Sequence, residues 1–228
     1  MSAEFPVFDR RGCLTLVAAG GTSVMLSVAL KDTDNQIGRF VDHLVAAGTW
    51  ESSVLIVLAD HSMDWSIPSN VISVDQILSS RADLRAQIAI PQNGGADLLC
   101  WTGPSAARDA GLAEVLALVA AHPGVLSIAN PADLRLGVEA GDLVAYCRAG
   151  WHFSDPSVAS NPIPGNHGHP ATEPIPFFVS GGSPRVVAGV SSQPARTLDV
   201  APTVGALVGL TAPAGGYDGT ARTVAFSD

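Results

Sequence analysis

Two neighbouring side chains with metal-binding chemistry follow a long apolar run in the first third of the chain. The run SVLIVLA covers residues 53–59, and Asp60 and His61 come directly after it. A carboxylate and an imidazole are common ligands of zinc and similar divalent ions. A further histidine, His167, lies in the segment GNHGHP. These residue types indicate a divalent-metal site, and the alternative for His167 is an ordinary surface or hydrogen-bonded histidine.

The segments before Asp60 have the pattern of an α/β fold. A predicted helix begins at a cap among Asp32, Thr33 or Asp34 and ends at Gly48. Its apolar residues are spaced to form one stripe, which consists of Ile37, Phe40, Val41 and Leu44. The following run at 53–59 does not alternate with polar residues, which predicts a strand covered on both faces. In open α/β sheets, ligands bind outside the carboxyl ends of the strands.

The rest of the chain continues this mixture of helices and strands. Further helices are predicted over 74–90, 111–124 and 197–210, and further strands over 96–103, 125–129, 142–151 and 176–182. Asp199 is the candidate cap of the last helix. Residues 154–176 contain six prolines, which predicts a stiff loop around His167. Such a loop is suited to holding a ligand side chain in place.

Four segments occur in an order that resembles a known superfamily. They are DTDNQIGRFVDHL, VLIVLADHSM, GNHGHPATEPIPFFVSGG and ARTLDVAPTVGALVGL. Together they resemble the carboxyl-terminal half of the alkaline phosphatase superfamily, and within it the type I phosphodiesterase/nucleotide pyrophosphatase branch. The resemblance covers about residues 29–219. It implies an alkaline-phosphatase-like α/β sandwich with a mostly parallel central sheet.

The chain is accordingly interpreted as one partial domain of this kind over residues 1–228. Residues 1–28 form an atypical leader, and the family-like part begins at residue 29. The fold is therefore expected to be truncated at its N-terminus.

The resemblance also implies roles for the metal-binding side chains. Members of this family hold two zinc ions bridged by the substrate phosphate. Asp60 and His61 match the pair that binds the ion activating the nucleophile, and His167 matches a ligand of the other ion. Two such ions clamp the attacking and leaving oxygens of an in-line displacement. The implied cofactor is zinc, with two ions in the family and one or a partial set here; another divalent metal is the alternative.

Three further residues are candidates for contact with substrate or for support of the ligands. Asn166 is expected to orient His167 or to contact phosphate, although an asparagine in a loop more often shapes the loop. His169 is expected to line the site or to support a ligand, and the alternative is a surface histidine. Trp65 is expected to stack on a nucleobase or leaving group, and the alternative is a packed aromatic residue.

The first residues of the chain depart from the family pattern. The family's threonine or serine nucleophile has no identifiable counterpart, so no catalytic nucleophile is assigned. The family also has an Asp-x-x-x-His ligand pair before the helix, and Asp9 and Cys13 offer this spacing here. A cysteine thiolate is a good zinc ligand, so the two residues are candidate ligands. The alternative is that their alignment with the family pair is a chance match.

Composition excludes several classes of protein. Hydrophobic residues make up 47% and charged residues 14% of the 228 residues, which is typical of a globular protein. The net charge of −9 argues against binding of nucleic acid or of anionic membrane surfaces. The three cysteines lack the spacing of a disulfide framework. No signal peptide and no transmembrane span are expected, so the compartment is left open, with the cytoplasm as the default expectation.

These observations lead to one main functional hypothesis and two alternatives. The main hypothesis is a metal-dependent hydrolase of phosphoric esters, similar to phosphodiesterases and nucleotide pyrophosphatases, that is incomplete in this chain. The alternatives are a non-catalytic relative that at most binds metal, and a sulfatase-type or phosphomutase-type member. The expected partner is a small-molecule phosphate ester or nucleotide. Because strands of the sheet are expected to be missing, self-association through an exposed sheet edge is a further expectation.

Overall fold

The computed structural model describes residues 23–155 and 165–227. The side chains of residues 23–27 and 92–93 lie outside this description. The chain divides into two compact units. The interpretation as one partial domain stays a prediction, because a compact unit is not by itself an independently folding domain.

The first unit comprises the described residues of Met1–Ala59 and Pro176–Asp228, and the second comprises those of Asp60–Ile175. We refer to them as the terminal unit and the central unit. Asp60, His61 and His167 all belong to the central unit.

Helices and strands alternate along the described chain, and most of the elements that the sequence predicts have a counterpart. The single helix predicted over 74–90 is wrong, since that segment forms two short helices and the strand Ile88–Ala89. The α-helices are α1 (Ser23–Ala46), α2 (Val74–Ile77), α3 (Ala82–Arg85), α4 (Arg108–Ala120) and α5 (Val200–Val208). The strands are β1 (Leu55–Leu58), β2 (Asp64–Trp65), β3 (Val71–Ile72), β4 (Ile88–Ala89), β5 (Gln92–Asn93), β6 (Ala96–Trp101), β7 (Val125–Ala129), β8 (Leu143–Cys147), β9 (His152–Phe153), β10 (Gly165–Asn166) and β11 (Phe177–Ser180).

The N-terminal limit predicted for α1 is wrong, whereas its C-terminal limit is confirmed. Thr33 and the two aspartates beside it lie inside the helix, and the Thr33 hydroxyl donates to the carbonyl of Ala29 at 3.0 Å. No residue between Ser23 and Asp32 breaks a helix, so the acidic residues are not needed as caps. Gly48 has a φ of 69°, the left-handed conformation typical of the residue that follows a helix.

Burial in the terminal unit is less complete than the apolar pattern predicts. Ile37, Val41 and Leu44 on α1 are half-buried, and Phe40 is 51% exposed. All four residues of β1 are half-buried as well, so the prediction of a strand covered on both faces is wrong for the described residues. β1 pairs with β11 in the antiparallel direction. An apolar run shows that a strand is able to be buried on both faces. The elements packed against that strand determine how much of its surface is buried.

Asp199 is a buried anchor in the terminal unit rather than a side-chain cap of α5. Its carboxylate accepts hydrogen bonds from the backbone amides of Arg196 and Thr220, both at 2.8 Å. The guanidinium of Arg222 forms an ion pair with the same carboxylate, and Nε donates at 2.7 Å. The Asp199 residue is fully buried. One carboxylate therefore ties the segment after α5 to the segment before it.

The central unit is built on a five-stranded sheet in the order β4-β6-β8-β7, with β5 also paired to β6. β6 and β7 run in the same direction and are joined by α4, while β8 lies between them and runs in the opposite direction. Hydrophobic side chains of the sheet and of α4 pack into one core cluster. Its most deeply buried members include Leu99, Val115, Val119, Ala145 and Cys147.

The predicted mostly parallel sheet needs correction for the described residues. Among them, β3 and β9 form the single parallel pair, and the other strand pairs are antiparallel. The reason is the return of β8 into the space between β6 and β7. Helix-strand alternation indicates that the strands on either side of a helix share a direction, but it carries no information on which strand fills the gap between them.

Two further expectations concern cysteines and membranes. Cys100 and Cys147 are free thiols, and burial raises the pKa of Cys147 to about 12, so this thiol is protonated and unreactive near neutral pH. None of the helices in the described part of the chain is long and apolar enough to cross a membrane.

Replacing Asp199 tests the buried anchor. We expect Asp199→Ala to lower the free energy of unfolding by about 2–4 kcal/mol, because it removes the buried acceptor of two backbone amides and leaves the half-buried Arg222 guanidinium without its counter-ion. The matched control is Asp42→Ala on exposed α1, which we expect to change stability by no more than about 0.5 kcal/mol. Urea unfolding followed by circular dichroism measures both changes. Equal effects of the two substitutions would contradict the role of Asp199 as an anchor.

The same carboxylate predicts a pH dependence. Burial alone would raise the pKa of Asp199, but hydrogen bonds from the Thr220 and Arg196 amides and from Arg222 hold it below its usual value. The stability it contributes is therefore complete above a pH of about 3.9 and is lost as the pH falls further through the folded-state pKa. We expect the stability difference between the wild type and Asp199→Asn to be constant from pH 7 to 5 and to shrink below pH 4. A difference that grows on acidification would refute this assignment.

Candidate metal and phosphate site

Asp60 and His61 present two donor atoms at a spacing that suits one metal ion. The Nδ1 atom of His61 lies 2.8 Å from the carbonyl oxygen of Ser62. Because a carbonyl only accepts, Nδ1 carries the proton and donates, and the neutral ring keeps its lone pair on Nε2. That Nε2 atom is 3.6 Å from Oδ2 of Asp60. Two ligand atoms on one tetrahedral zinc are roughly 3.4 Å apart.

His167 lies directly against His61. The two imidazole rings stack with centroids 3.8 Å apart and planes inclined by 10°. The lone pair of an imidazole nitrogen lies in the ring plane, so two stacked rings do not converge on one ion. This arrangement fits two ions side by side better than one shared ion. The structure thus brings together three residues that the sequence analysis selected from distant segments.

His169 is buried beside this pair rather than exposed. Its side chain is fully buried, and Nε2 lies 3.0 Å from Oδ2 of Asp64. The same carboxylate oxygen accepts a hydrogen bond from the amide of Gly150 at 2.7 Å. Because His169 has no exposed surface and holds a carboxylate partner, it is placed to support the loop that contains His167 and not to contact a substrate.

Asn166 is also turned into the protein. It is 8% exposed, and its side-chain amide donates to the carbonyl of Trp151 at 3.1 Å. In the pairing of β2 with β10, Asn166 lies opposite Asp64. These contacts favour the alternative in which the asparagine shapes its loop.

Trp65 is the exposed member of this group. It is 45% exposed and lies opposite Gly165 in the same β2–β10 pair. Along β2 its side chain points away from the side on which Asp64 meets His169, because successive residues of a strand face opposite sides. The indole face is therefore accessible to a planar ligand.

The backbone around His167 is held by contacts that the sequence analysis missed. The Gly95 amide donates to the carbonyl of His167 at 2.9 Å. A methyl group added at Gly95 would overlap that carbonyl and the His169 ring, so only glycine permits this approach. Thr172 caps the same loop through its hydroxyl, and Asp64 anchors it from β2. The Gly-Gly pair after Asn93 is the one sequence signal that pointed to a close backbone contact.

The donor set is incomplete within the described residues. No group of three or more His, Cys, Asp or Glu side chains suited to one ion occurs in that part of the chain. Asp9 and Cys13, the other predicted ligands, lie outside it. The donors available are the carboxylate of Asp60 and the imidazoles of His61 and His167, whose chemistry fits zinc.

Comparison with known proteins shows the family of the chain. The family profile described as type I phosphodiesterase/nucleotide pyrophosphatase matches residues 20–169. The chain belongs to this family. The match contains Asp60, His61 and His167, and it confirms the predicted branch of the alkaline phosphatase superfamily. Among curated proteins, none is similar enough in sequence to match the chain.

Solved structures of other phosphodiesterase/nucleotide pyrophosphatase proteins have the same fold. Human ectonucleotide pyrophosphatase/phosphodiesterase 5 superposes with a TM-score of 0.72 at 18% identity, covering 90% of this chain and 54% of that one. An inactive variant of the murine protein in complex with AMP gives 0.71 at 19% identity, covering 90% and 53%. The chain spans about half the length of these proteins. The likeness confirms the predicted α/β fold.

A pair of glycine substitutions tests the close contact at His167. We expect Gly95→Ala to lower the free energy of unfolding by about 1–3 kcal/mol, because the added methyl group overlaps backbone as well as the His169 ring. Gly38→Ala on α1 is the control, because a methyl group there meets open space, and we expect a gain of about 0.5–1 kcal/mol. Urea unfolding measures both. Tolerance of Gly95→Ala would contradict the tight packing.

Proposed function

We propose that the chain carries part of the zinc centre of a phosphate-ester hydrolase that acts on phosphodiesters or nucleotides. Asp60 and His61 are the proposed ligands of one ion, and His167 is a proposed ligand of the second. The observation that carries the proposal is the stacked pair of His61 and His167, with the Asp60 carboxylate beside it. Family membership supports the phosphate-ester chemistry.

The protein residues prepare this chemistry through orientation. The Ser62 carbonyl holds the proton of His61 on Nδ1, which leaves the Nε2 lone pair available as a ligand beside Asp60. His169 and Asp64 hold the neighbouring loop, so His167 keeps its position against His61. When bound, zinc ions supply Lewis acidity toward phosphate oxygens and lower the pKa of water.

A nucleotide is the proposed substrate class. A murine relative of the same fold has been solved in complex with AMP. In this chain, the half-exposed indole of Trp65 offers a surface on which a nucleobase can stack. Three further expectations stay predictions. They are another divalent metal in place of zinc, ligation by Asp9 and Cys13, and self-association through the edges of the β1–β11 pair.

A metal-binding relative without catalysis is the alternative function. No threonine or serine of this chain is assigned as nucleophile. Loss of a covalent nucleophile typically lowers turnover by orders of magnitude. Metal binding and hydrolysis must therefore be measured separately.

Zinc binding by the complete 228-residue chain tests the proposal. We expect competition with a chromophoric chelator at neutral pH to reveal zinc binding by the wild type. His61→Ala and His167→Ala should each weaken binding at least about tenfold, because each removes a ligand. His43→Ala, an exposed histidine on α1, is the matched control and should bind zinc like the wild type.

Hydrolysis of bis(4-nitrophenyl) phosphate is the second measurement. Turnover that requires both zinc and His61 would support a hydrolase. Zinc binding without turnover would favour the non-catalytic alternative. Equal zinc affinity in the wild type and both histidine variants would refute the proposed ligands.

A further inference from the structure

Thr172 touches both segments that carry the stacked histidines. It ends a short 3-10 turn, Pro170–Thr172, and is 3% exposed. Its hydroxyl accepts a hydrogen bond from the amide of Gly168 at 3.2 Å and donates to the carbonyl of His169 at 2.8 Å. The hydroxyl thereby closes the loop immediately after His167.

The backbone of the same residue reaches the other segment. The carbonyl of Thr172 accepts a hydrogen bond from the amide of Ser62 at 2.7 Å. The carbonyl of Ser62 in turn accepts from Nδ1 of His61 at 2.8 Å. A continuous path of hydrogen bonds and short covalent links therefore runs from Gly168 through Thr172 and Ser62 to the His61 ring.

We infer that Thr172 is a positioning residue that sets the His61 and His167 rings against each other. The effect of Thr172 on metal binding rests on the proposed function. Its effect on the position of the rings stands on the hydrogen bonds alone. Thr172 contacts neither ring directly, so it acts through Gly168 on one side and through Ser62 on the other.

The hydroxyl has a distinct part in this arrangement. Gly168 has a φ of 101°, a backbone conformation that glycine adopts and other residues rarely do. The loop turns sharply at this point, and the Thr172 hydroxyl satisfies the amide that the turn leaves facing inward. Without the hydroxyl, the half-buried Gly168 amide loses its partner, and the carbonyl of His169 keeps only the Thr172 amide. The hydroxyl therefore holds the backbone of the residue that directly follows His167.

Two substitutions at one position separate this role from simple packing. Thr172→Val keeps the branched shape and the backbone carbonyl but removes the hydroxyl. Thr172→Ser keeps the hydroxyl and removes a methyl group. The matched control is Thr203→Val in the terminal unit, where a threonine that is 1% exposed also bonds through its hydroxyl to backbone groups. It removes the same group from a buried site remote in sequence from the histidines.

The first measurement is nuclear magnetic resonance of the metal-free protein. Side-chain imidazole signals are assigned with His61→Ala and His167→Ala. We expect the wild type to give a nuclear Overhauser cross-peak between the two rings, which Thr172→Val loses and both Thr172→Ser and Thr203→Val retain. The second measurement is zinc affinity by chelator competition, where Thr172→Val should weaken binding about tenfold or more and Thr172→Ser should restore most of it.

The results separate the inference from the proposed function. A cross-peak that survives in Thr172→Val, or that is absent from the wild type, overturns the inference. Loss of the cross-peak in Thr203→Val overturns it too, since the effect would then be general destabilisation. If the wild type shows the hydroxyl-dependent cross-peak but binds no zinc, Thr172 still positions the rings, and the proposed metal function is the part that fails.

Discussion

The hydrogen bond from the Ser62 amide to the Thr172 carbonyl joins the two segments that carry the paired histidines. His61 belongs to the segment after β1, and His167 belongs to a loop more than a hundred residues further along the chain. A short contact between their rings requires that both backbones be fixed relative to each other. Hydrogen bonds through Gly95, Asp64 and Thr172 supply this constraint. The relative position of the two histidine rings therefore depends on these backbone contacts.

A carboxylate serves a similar purpose in each unit, fully buried in the one and half-buried in the other. In the terminal unit, Asp199 collects backbone amides and the Arg222 guanidinium from segments on either side of α5. In the central unit, Asp64 receives the Gly150 amide and the ring of His169. A carboxylate oxygen accepts several hydrogen bonds at once, so one side chain is able to hold several loops. This is an efficient way to order a chain whose connections are rich in glycine and proline.

Some of the architecture and the centre of the site followed from the sequence alone. The apolar run that ends at Asp60 and His61, and the stiff segment around His167, were sufficient to select three residues that the fold brings together. Apolar spacing predicted most of the helices and strands, because it shows which face of an element is able to be buried. It failed over 74–90, where two short helices and a strand replace the predicted helix. The end of α1 at Gly48 was predicted from another local signal, because glycine readily adopts the left-handed conformation that follows a helix.

Apart from the N-terminal limit of α1, the errors and omissions concern contacts between segments that are distant in sequence. Asp199 has the composition of a helix cap, and only the positions of Thr220 and Arg222 reveal it as an anchor. Thr172 and Asp64 belong to no recognisable sequence motif. Threonine and aspartate form local hydrogen bonds in many loops, so their neighbours in sequence do not reveal these particular contacts. The insertion of β8 between two strands of like direction depends on the packing of a whole sheet.

The placement of β8 has a consequence for the order in which the chain acquires structure during synthesis. β6, α4 and β7 leave the ribosome before β8, and in the folded sheet β8 lies between the two strands and pairs with both. The hydrogen bonds that β6 and β7 make with β8 are therefore formed only after Leu143–Cys147 has been synthesised. Within the five-stranded sheet, the strand that is synthesised last completes the hydrogen bonding of both its neighbours. This sheet is therefore completed late on the nascent chain, after its helix and its other strands have been made.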